Sequence, residues 1–207
     1  MTRLRAQSRN FLEAKMSHAV AATAARFAPQ HRSGAGVEWL AAEIDAACEG
    51  EPERKPYRVV AALQAAAADP DLLTAGQRAA CADSYARHVL YADPQGRFTV
   101  VALVWITGQF SPVHAHDAWC AYAVRNGDLA ETLFRFDTTT GQAVPERTEI
   151  RRVGYGCFAR SGFEQIHRLG NACLEPAVSI HVYGVDSARV CSHVNRVLGT
   201  RSSGLSL

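Results

Sequence analysis

The sequence predicts a mainly β protein: an antiparallel barrel or sandwich with a helical N-terminal part packed on it, all in one domain. Three observations carry this. From residue 98 onward, short β-branched and aromatic runs recur at spacings near ten residues. Turn-forming stretches separate them, in RNGD (125–128), DTTTGQ (137–142) and RLGN (168–171). Before them, up to about residue 90, the chain is alanine-rich and repeats apolar side chains at helical spacing. With 207 residues, 48% of them apolar, it can bury one sizeable core.

Taken in order, residues 12–27 predict a helix that ends before Pro29. VEWLAAEIDAACEG (37–50) sets Trp39, Leu40, Ile44 and Ala47 roughly on one face and stops at Gly50. KPYRVVAALQAAAADP (55–70) repeats the pattern and ends before Pro70. TAGQRAACADSYA (74–86) reads as a further helix with Thr74 as its N-cap. A first strand ends at Leu90 and Tyr91, and ADPQGR (92–97) marks the change of texture. FTVVALVW (98–105) is almost wholly apolar, as a strand buried on both sides should be. The remaining strands are placed at WCAYAV (119–124), ETLFRF (131–136), RTEIRRV (147–153), FEQIHRL (163–169), AVSIHVYGV (177–185) and ARVCSHVNRV (188–197). The tail RSSGLSL (201–207) is expected to fray. The helical part thus covers about 1–90 and the barrel about 91–200 of a single 1–207 domain.

Charge and cysteine usage exclude several classes. Formal net charge is +2 and the basic residues are scattered, which argues against nucleic acid, since that needs a basic stripe. No apolar run approaches the roughly 20 residues that span a bilayer, and the N-terminal MTRLRAQSRNFLEAKMSHAV has no continuous apolar segment of the secretory kind. The six cysteines, Cys48, Cys81, Cys120, Cys157, Cys173 and Cys191, include no CxxC pair. Reduced thiols and a cytoplasmic location are expected, not a disulfide scaffold or a four-cysteine zinc module. The sequence fixes no oligomeric state; a monomer is compatible with it.

Residues 108–127, GQFSPVHAHDAWCAYAVRNG, hold the candidate chemistry. On a strand, residues i and i+2 share a face, so His114 and His116 can hold one ion between two imidazoles. Two histidines so spaced on a loop would mean nothing. The glycine frame around them, from Gly108 to Gly127, has the spacing of the first cupin motif, in which position 120 is usually a glutamate; here it is Cys120. FEQIHRLGN supplies His167 and Asn171 at the spacing of the second cupin motif, with Gly162 and Glu164 where that motif has proline and glycine. Three imidazoles without a carboxylate would make an electropositive site. Zinc with a water, iron, copper and nickel all suit that ligand set, and ligand type alone does not name the metal.

From about Tyr85 to about Tyr183 the chain resembles the thiol dioxygenases, and among them the cysteine dioxygenase type I family. The resemblance runs through YARHVLYADPQGRFTVVALVW, GQFSPVHAHDAWC, GDLAETLF, IHRLGN and EPAVSIHVY. It implies a cupin β-barrel of jelly-roll type, with His114, His116 and His167 as ligands of Fe(2+). It implies that Arg87 holds the substrate carboxylate, as a planar and permanently charged fork can. It makes Tyr183 the active-site tyrosine, Cys120 its thioether partner, and His181 and Ser179 the pair behind it. Independently, the two-residue period sets Ser179, His181 and Tyr183 on one face of a strand. The implied reaction takes free L-cysteine and dioxygen to cysteine sulfinic acid, with no nucleic-acid or membrane partner.

Two departures stand out. The gap from His116 to Cys120 is one residue shorter than in animal members, with Trp119 before the cysteine, a form bacterial relatives share. Many of those carry glycine where Cys120 stands. The Ser-Pro-Pro that follows the tyrosine in animal members is here Gly184, Val185, Asp186. Taken singly, Arg87 would be a solvated arginine, Tyr183 an ordinary strand tyrosine, Cys120 a small core residue and His181 a satisfied core histidine; standing in order and register, they outweigh that. His18, His31, His88, His193 and the other five cysteines are read as structural. Three alternatives stay open: a 3-mercaptopropionate dioxygenase, whose members tend to have glutamine at the Arg87 position; a non-catalytic cupin metal-binding or sensor module; and a zinc hydrolase. The last lacks an evident base, since alternation points Asp117 away from the histidines.

Overall fold

In the computed structural model, residues 36–200 are described. The helix expected over 12–27 lies outside them. Two α-helices come first, α1 (Gly36–Glu49) and α2 (Lys55–Ala68). α1 buries Leu40, Ala41, Ile44 and Ala47, which recur at three- and four-residue spacing. α2 carries Pro56 in its first turn, tolerated because its missing N–H has no intrahelical partner there. It ends where Asp69 turns extended before Pro70.

No helix forms over 74–86. Thr74 does cap: its hydroxyl accepts from the Gln77 N–H at 3.3 Å, while the Gln77 side chain accepts from the Thr74 N–H at 3.0 Å. Only a single 3-10 turn follows, Gly76–Arg78. Residues 79–84 are all exposed, so a longer helix would have no face to bury, and packing is what stabilises short helices.

Ten strands follow: β1 (Ala86–Ala92), β2 (Thr99–Trp105), β3 (His114–His116), β4 (Cys120–Asn126), β5 (Leu129–Asp137), β6 (Gln142–Arg151), β7 (Gly156–Ala159), β8 (Gly162–Gly170), β9 (Ala177–Tyr183) and β10 (Asn195–Val197). They form two five-stranded sheets, ordered β1-β2-β9-β4-β7 and β10-β3-β8-β5-β6, and every strand pairing is antiparallel. The mainly β antiparallel architecture is as the sequence predicts.

The first sheet is covered on both faces, which explains why β2 and β9 are buried along their whole length. Val100, Ala102, Val104, Ala121, Ala123, Ile180 and Val182 pack with the helices. Their alternates, among them Val101, Leu103, Trp105, Cys120 and Tyr122, form the interior cluster that Leu129 and Leu169 of the second sheet join.

Several boundaries differ from the sequence-based expectation. β6 starts at Gln142 because it completes a hairpin with β5. β8 continues through RLG, so the turn expected at 168 begins only at Asn171. The run 188–197 gives a 3-10 turn at Ser187–Arg189 and a three-residue strand. β7, four residues of GCFA, is too short to show a period and was not expected. Among the described residues, no helix is long and apolar enough to cross a membrane.

The histidine-bearing segments are laced together by backbone. Gly108, at φ 82°, donates to Asn171 O, and the Asn171 N–H returns a bond to Gln109 O. Asn171 is fully buried; its amide donates to Trp105 O and Glu175 O and accepts from the Cys173 N–H.

Candidate metal centre and its cavity

His114 and His116 occupy both ends of β3, and His114 is paired with His167 of β8. Their ring centroids lie 4.6 to 5.2 Å apart, and one nitrogen from each falls within 4.8 Å of the others. All three are buried. Burial, then the neighbouring imidazole of His167, drives the pKa of His114 down to about 3 and that of His116 well below the usual range. Both are therefore neutral near pH 7, the state a metal needs. The Nδ1 of His114 donates to Pro112 O at 2.9 Å, and that of His167 to Glu131 Oε1 at 2.6 Å. With Nδ1 so engaged, Nε2 is the nitrogen each of these two rings has left for a metal. A donor set of three buried imidazoles fits a divalent transition metal. Asp117 turns outward to Arg196, 2.7 Å away.

The facing wall belongs to the first sheet. The register β2-β9-β4 sets Tyr183 beside Cys120, His181 beside Tyr122, and Ser179 beside Leu103. Tyr183 Oη is 3.3 Å from His181 Nδ1, and His181 Nε2 is 2.8 Å from Ser179 Oγ. Ser179 Oγ also accepts from the Trp105 indole N–H at 3.0 Å. One orientation uses every group in this row. Ser179 donates to His181 Nε2, His181 Nδ1–H donates to Tyr183, and the phenol proton of Tyr183 stays free to face the cavity. Burial, then the charge of Arg87, holds His181 far below its ordinary pKa, so it carries the single proton this requires.

Arg87 sits on β1 across from Leu103. Its guanidinium donates to Val190 O at 3.2 Å and Tyr85 Oη at 3.4 Å, and its buried Nε has no partner. Tyr85 stacks on Trp105 with centroids 4.4 Å apart and lines the cavity with the three histidines, Cys120 and Tyr183. The two-residue offset from Arg87 could have revealed Tyr85.

Glu131 was not foreseen, and it changes the charge of the site. It is fully buried on β5, with Oε1 on His167 and Oε2 accepting from Arg151 Nε at 2.6 Å. Burial alone would raise its pKa, but the bond from His167 and the charge of Arg151 outweigh that and hold it at about 2. The three imidazoles are not free of carboxylate influence after all. Of the histidines read as structural, His88 bonds Ala79 O at 2.8 Å and His193 bonds Ser192 at 2.7 Å; His18 and His31 lie outside the described residues.

A family model for cysteine dioxygenase type I matches residues 59–192, more than half of the chain. The chain belongs to the cysteine dioxygenase type I family. Cysteine dioxygenase type 1 of Bos taurus is 32% identical over 91 residues, covering 42% of this chain and 45% of that protein. The Homo sapiens protein is 31% identical over the same shares, and that of Danio rerio 31% over 45% and 48%. The chain spans about half the length of the curated relatives it matches. A solved Klebsiella pneumoniae protein with a double-stranded β-helix domain aligns at a TM-score of 0.47 and 15% identity, over 64% of this chain and 93% of that one.

Trp119 and Gly184 meet in space. A Cβ on Gly184 would lie 2.1 Å from Trp119 Nε1, so the indole occupies the volume a side chain at 184 would need. The Gly184 N–H donates to Trp119 O at 2.9 Å.

Proposed function

We propose that this chain is a thiol dioxygenase that converts the thiol of free L-cysteine to a sulfinic acid, adding both atoms of one dioxygen to one sulfur. The observation that carries this is the convergence of three buried imidazoles opposite the Tyr183–His181–Ser179 row, with Arg87 on the adjoining strand. Family membership supports the same chemistry.

His114, His116 and His167 would hold Fe(2+). When bound, it would supply a site for the thiolate and the activation of dioxygen. Arg87 has an unpaired buried donor with which to meet the substrate carboxylate, fixing distance and orientation. Tyr183 presents its phenol proton to the cavity, with His181 holding its oxygen. The apolar lining from Leu103 and Leu169 limits water beside the reacting sulfur. Arginine at 87, where 3-mercaptopropionate-preferring relatives tend to have glutamine, supports cysteine as the thiol. Location in the cytoplasm, where free cysteine stays reduced, belongs to the same proposal.

The test is anaerobic reconstitution with ferrous iron, followed by oxygen uptake and sulfinate formation with cysteine, cysteamine and 3-mercaptopropionate. Cysteine turnover well above the other two is expected. Preference for 3-mercaptopropionate would reassign the substrate, and iron-loaded protein that consumes no oxygen with any thiol would favour a binding or sensing module.

A further inference from the structure

Two of the three histidines are anchored differently. His114 Nδ1 donates to a neutral carbonyl, that of Pro112, whereas His167 Nδ1 donates to the Glu131 carboxylate. A carboxylate acceptor pulls the shared proton further from the ring and makes the opposite nitrogen a stronger donor. Glu131 has no exposed surface, so water does not screen it. Its other oxygen is fixed by Arg151, which lies under Tyr155 at 4.4 Å from the ring centroid. Arg151 also pairs with Glu149, so its charge is divided between two carboxylates. The carboxylate facing His167 is thus held in place without being fully neutralised.

We infer that Glu131 is a positioning residue for the metal centre: it fixes the tautomer of His167 and passes negative charge to the bound ion through that ring. This rests on the iron site proposed above and adds to it a determinant outside the three ligands. Its consequences are tighter binding of a dication and a lower reduction potential, because a negative neighbour stabilises the ferric state more than the ferrous.

The test compares full-length wild type with Glu131→Gln and with the double variant Glu131→Gln/Arg151→Met. Glutamine keeps an acceptor for His167 but removes the charge; the second change also removes the Arg151 cation, which would then have lost Glu131 and kept Glu149. Ferrous ion is titrated anaerobically against a chromophoric chelator, and the potential of the loaded protein is measured. Both variants should bind ferrous ion about 10- to 100-fold more weakly. A further tenfold loss of preference for the ferric ion would raise the potential by about 59 mV. Should the single variant fail to fold, the double variant decides. A wild-type measurement needs neither: in Co(II)-loaded protein, the shifted Nδ1 proton of His167 should exchange with deuterium more slowly than that of His114. Variant affinity and potential equal to wild type, or a fast-exchanging His167 proton, overturn the role of Glu131. Wild-type protein that takes up no ferrous ion refutes the iron site itself.

Discussion

Cys120 and Tyr183 stand directly opposite each other on neighbouring antiparallel strands, both buried and both facing the cavity with the three histidines. Side chains so paired have Cβ atoms about 4.5–5.5 Å apart, close enough for a sulfur to reach a ring edge. Burial pushes the Cys120 thiol up to about 12 and also raises the Tyr183 phenol, so neither ionises near pH 7. Whatever their protonation, joining sulfur to the ring is a two-electron oxidation, with one hydrogen lost from sulfur, one from the ring, and dioxygen as the oxidant. Protein turned over with iron, thiol and dioxygen is expected to yield a linked peptide containing both residues, lighter by two hydrogens. Protein kept anaerobic, or Cys120→Ser, should not. Peptide mass mapping checks this, and its absence after many turnovers would leave Cys120 as a packing residue.

Arg87 has one buried donor without a partner and two long bonds, to Val190 and Tyr85. Hydrogen bonds to charged groups contribute about 1.5–3 kcal/mol. Arg87→Gln is therefore expected to raise KM for cysteine by roughly 10- to 100-fold, and to leave cysteamine, which has no carboxylate, nearly untouched. An unchanged KM for cysteine would place the substrate carboxylate elsewhere.

Much of this was legible from one sequence because sheet chemistry is local. A two-residue period is enough to set His114 with His116, and Ser179 with His181 and Tyr183. The turn glycines Gly108 and Gly127, both at positive φ, announce themselves by residue type. Glu131 was illegible for the opposite reason. Its meaning depends on β5 lying between β6 and β8, which brings residues 131, 151 and 167 together across three strands. The missing helix at 74–86 has the correct cap and the wrong surroundings, and no propensity scale sees surroundings.

Asp93 offers a stability test outside the site. Its carboxylate accepts from the Arg97 side chain at 2.8 Å and from the Arg97 N–H at 2.9 Å. The side-chain bond from Arg97 is the main reason its pKa is lowered. A carboxyl whose folded pKa lies below its unfolded value of about 3.9 stabilises the fold above that value, and loses the contribution as pH falls through the folded pKa. Asp93→Asn should therefore lower Tm at pH 7, and the gap to wild type should begin to narrow as pH falls below about 3.9 and go on narrowing through the lower folded pKa. A gap that stays constant across that range would show that the charge of Asp93 does not matter.

Gly184 follows Tyr183 directly, and its tolerance is set by Trp119. That indole is stacked on Phe158, centroids 5.5 Å apart and nearly parallel, with Lys55 Nζ 4.0 Å above it. With these contacts to keep, it cannot readily yield the 2.1 Å approach that a Cβ at 184 would demand. Overpacking of this kind typically costs about 1–3 kcal/mol. Gly184→Ala is expected to destabilise by that amount in urea unfolding, and to lower turnover because Tyr183 is its neighbour. In a Trp119→Ala background the same substitution should cost little, since the space it needs has been vacated. Residues in contact couple in this way, whereas independent ones add. An equal penalty in both backgrounds would mean that the strain at 184 comes from its backbone and not from the indole.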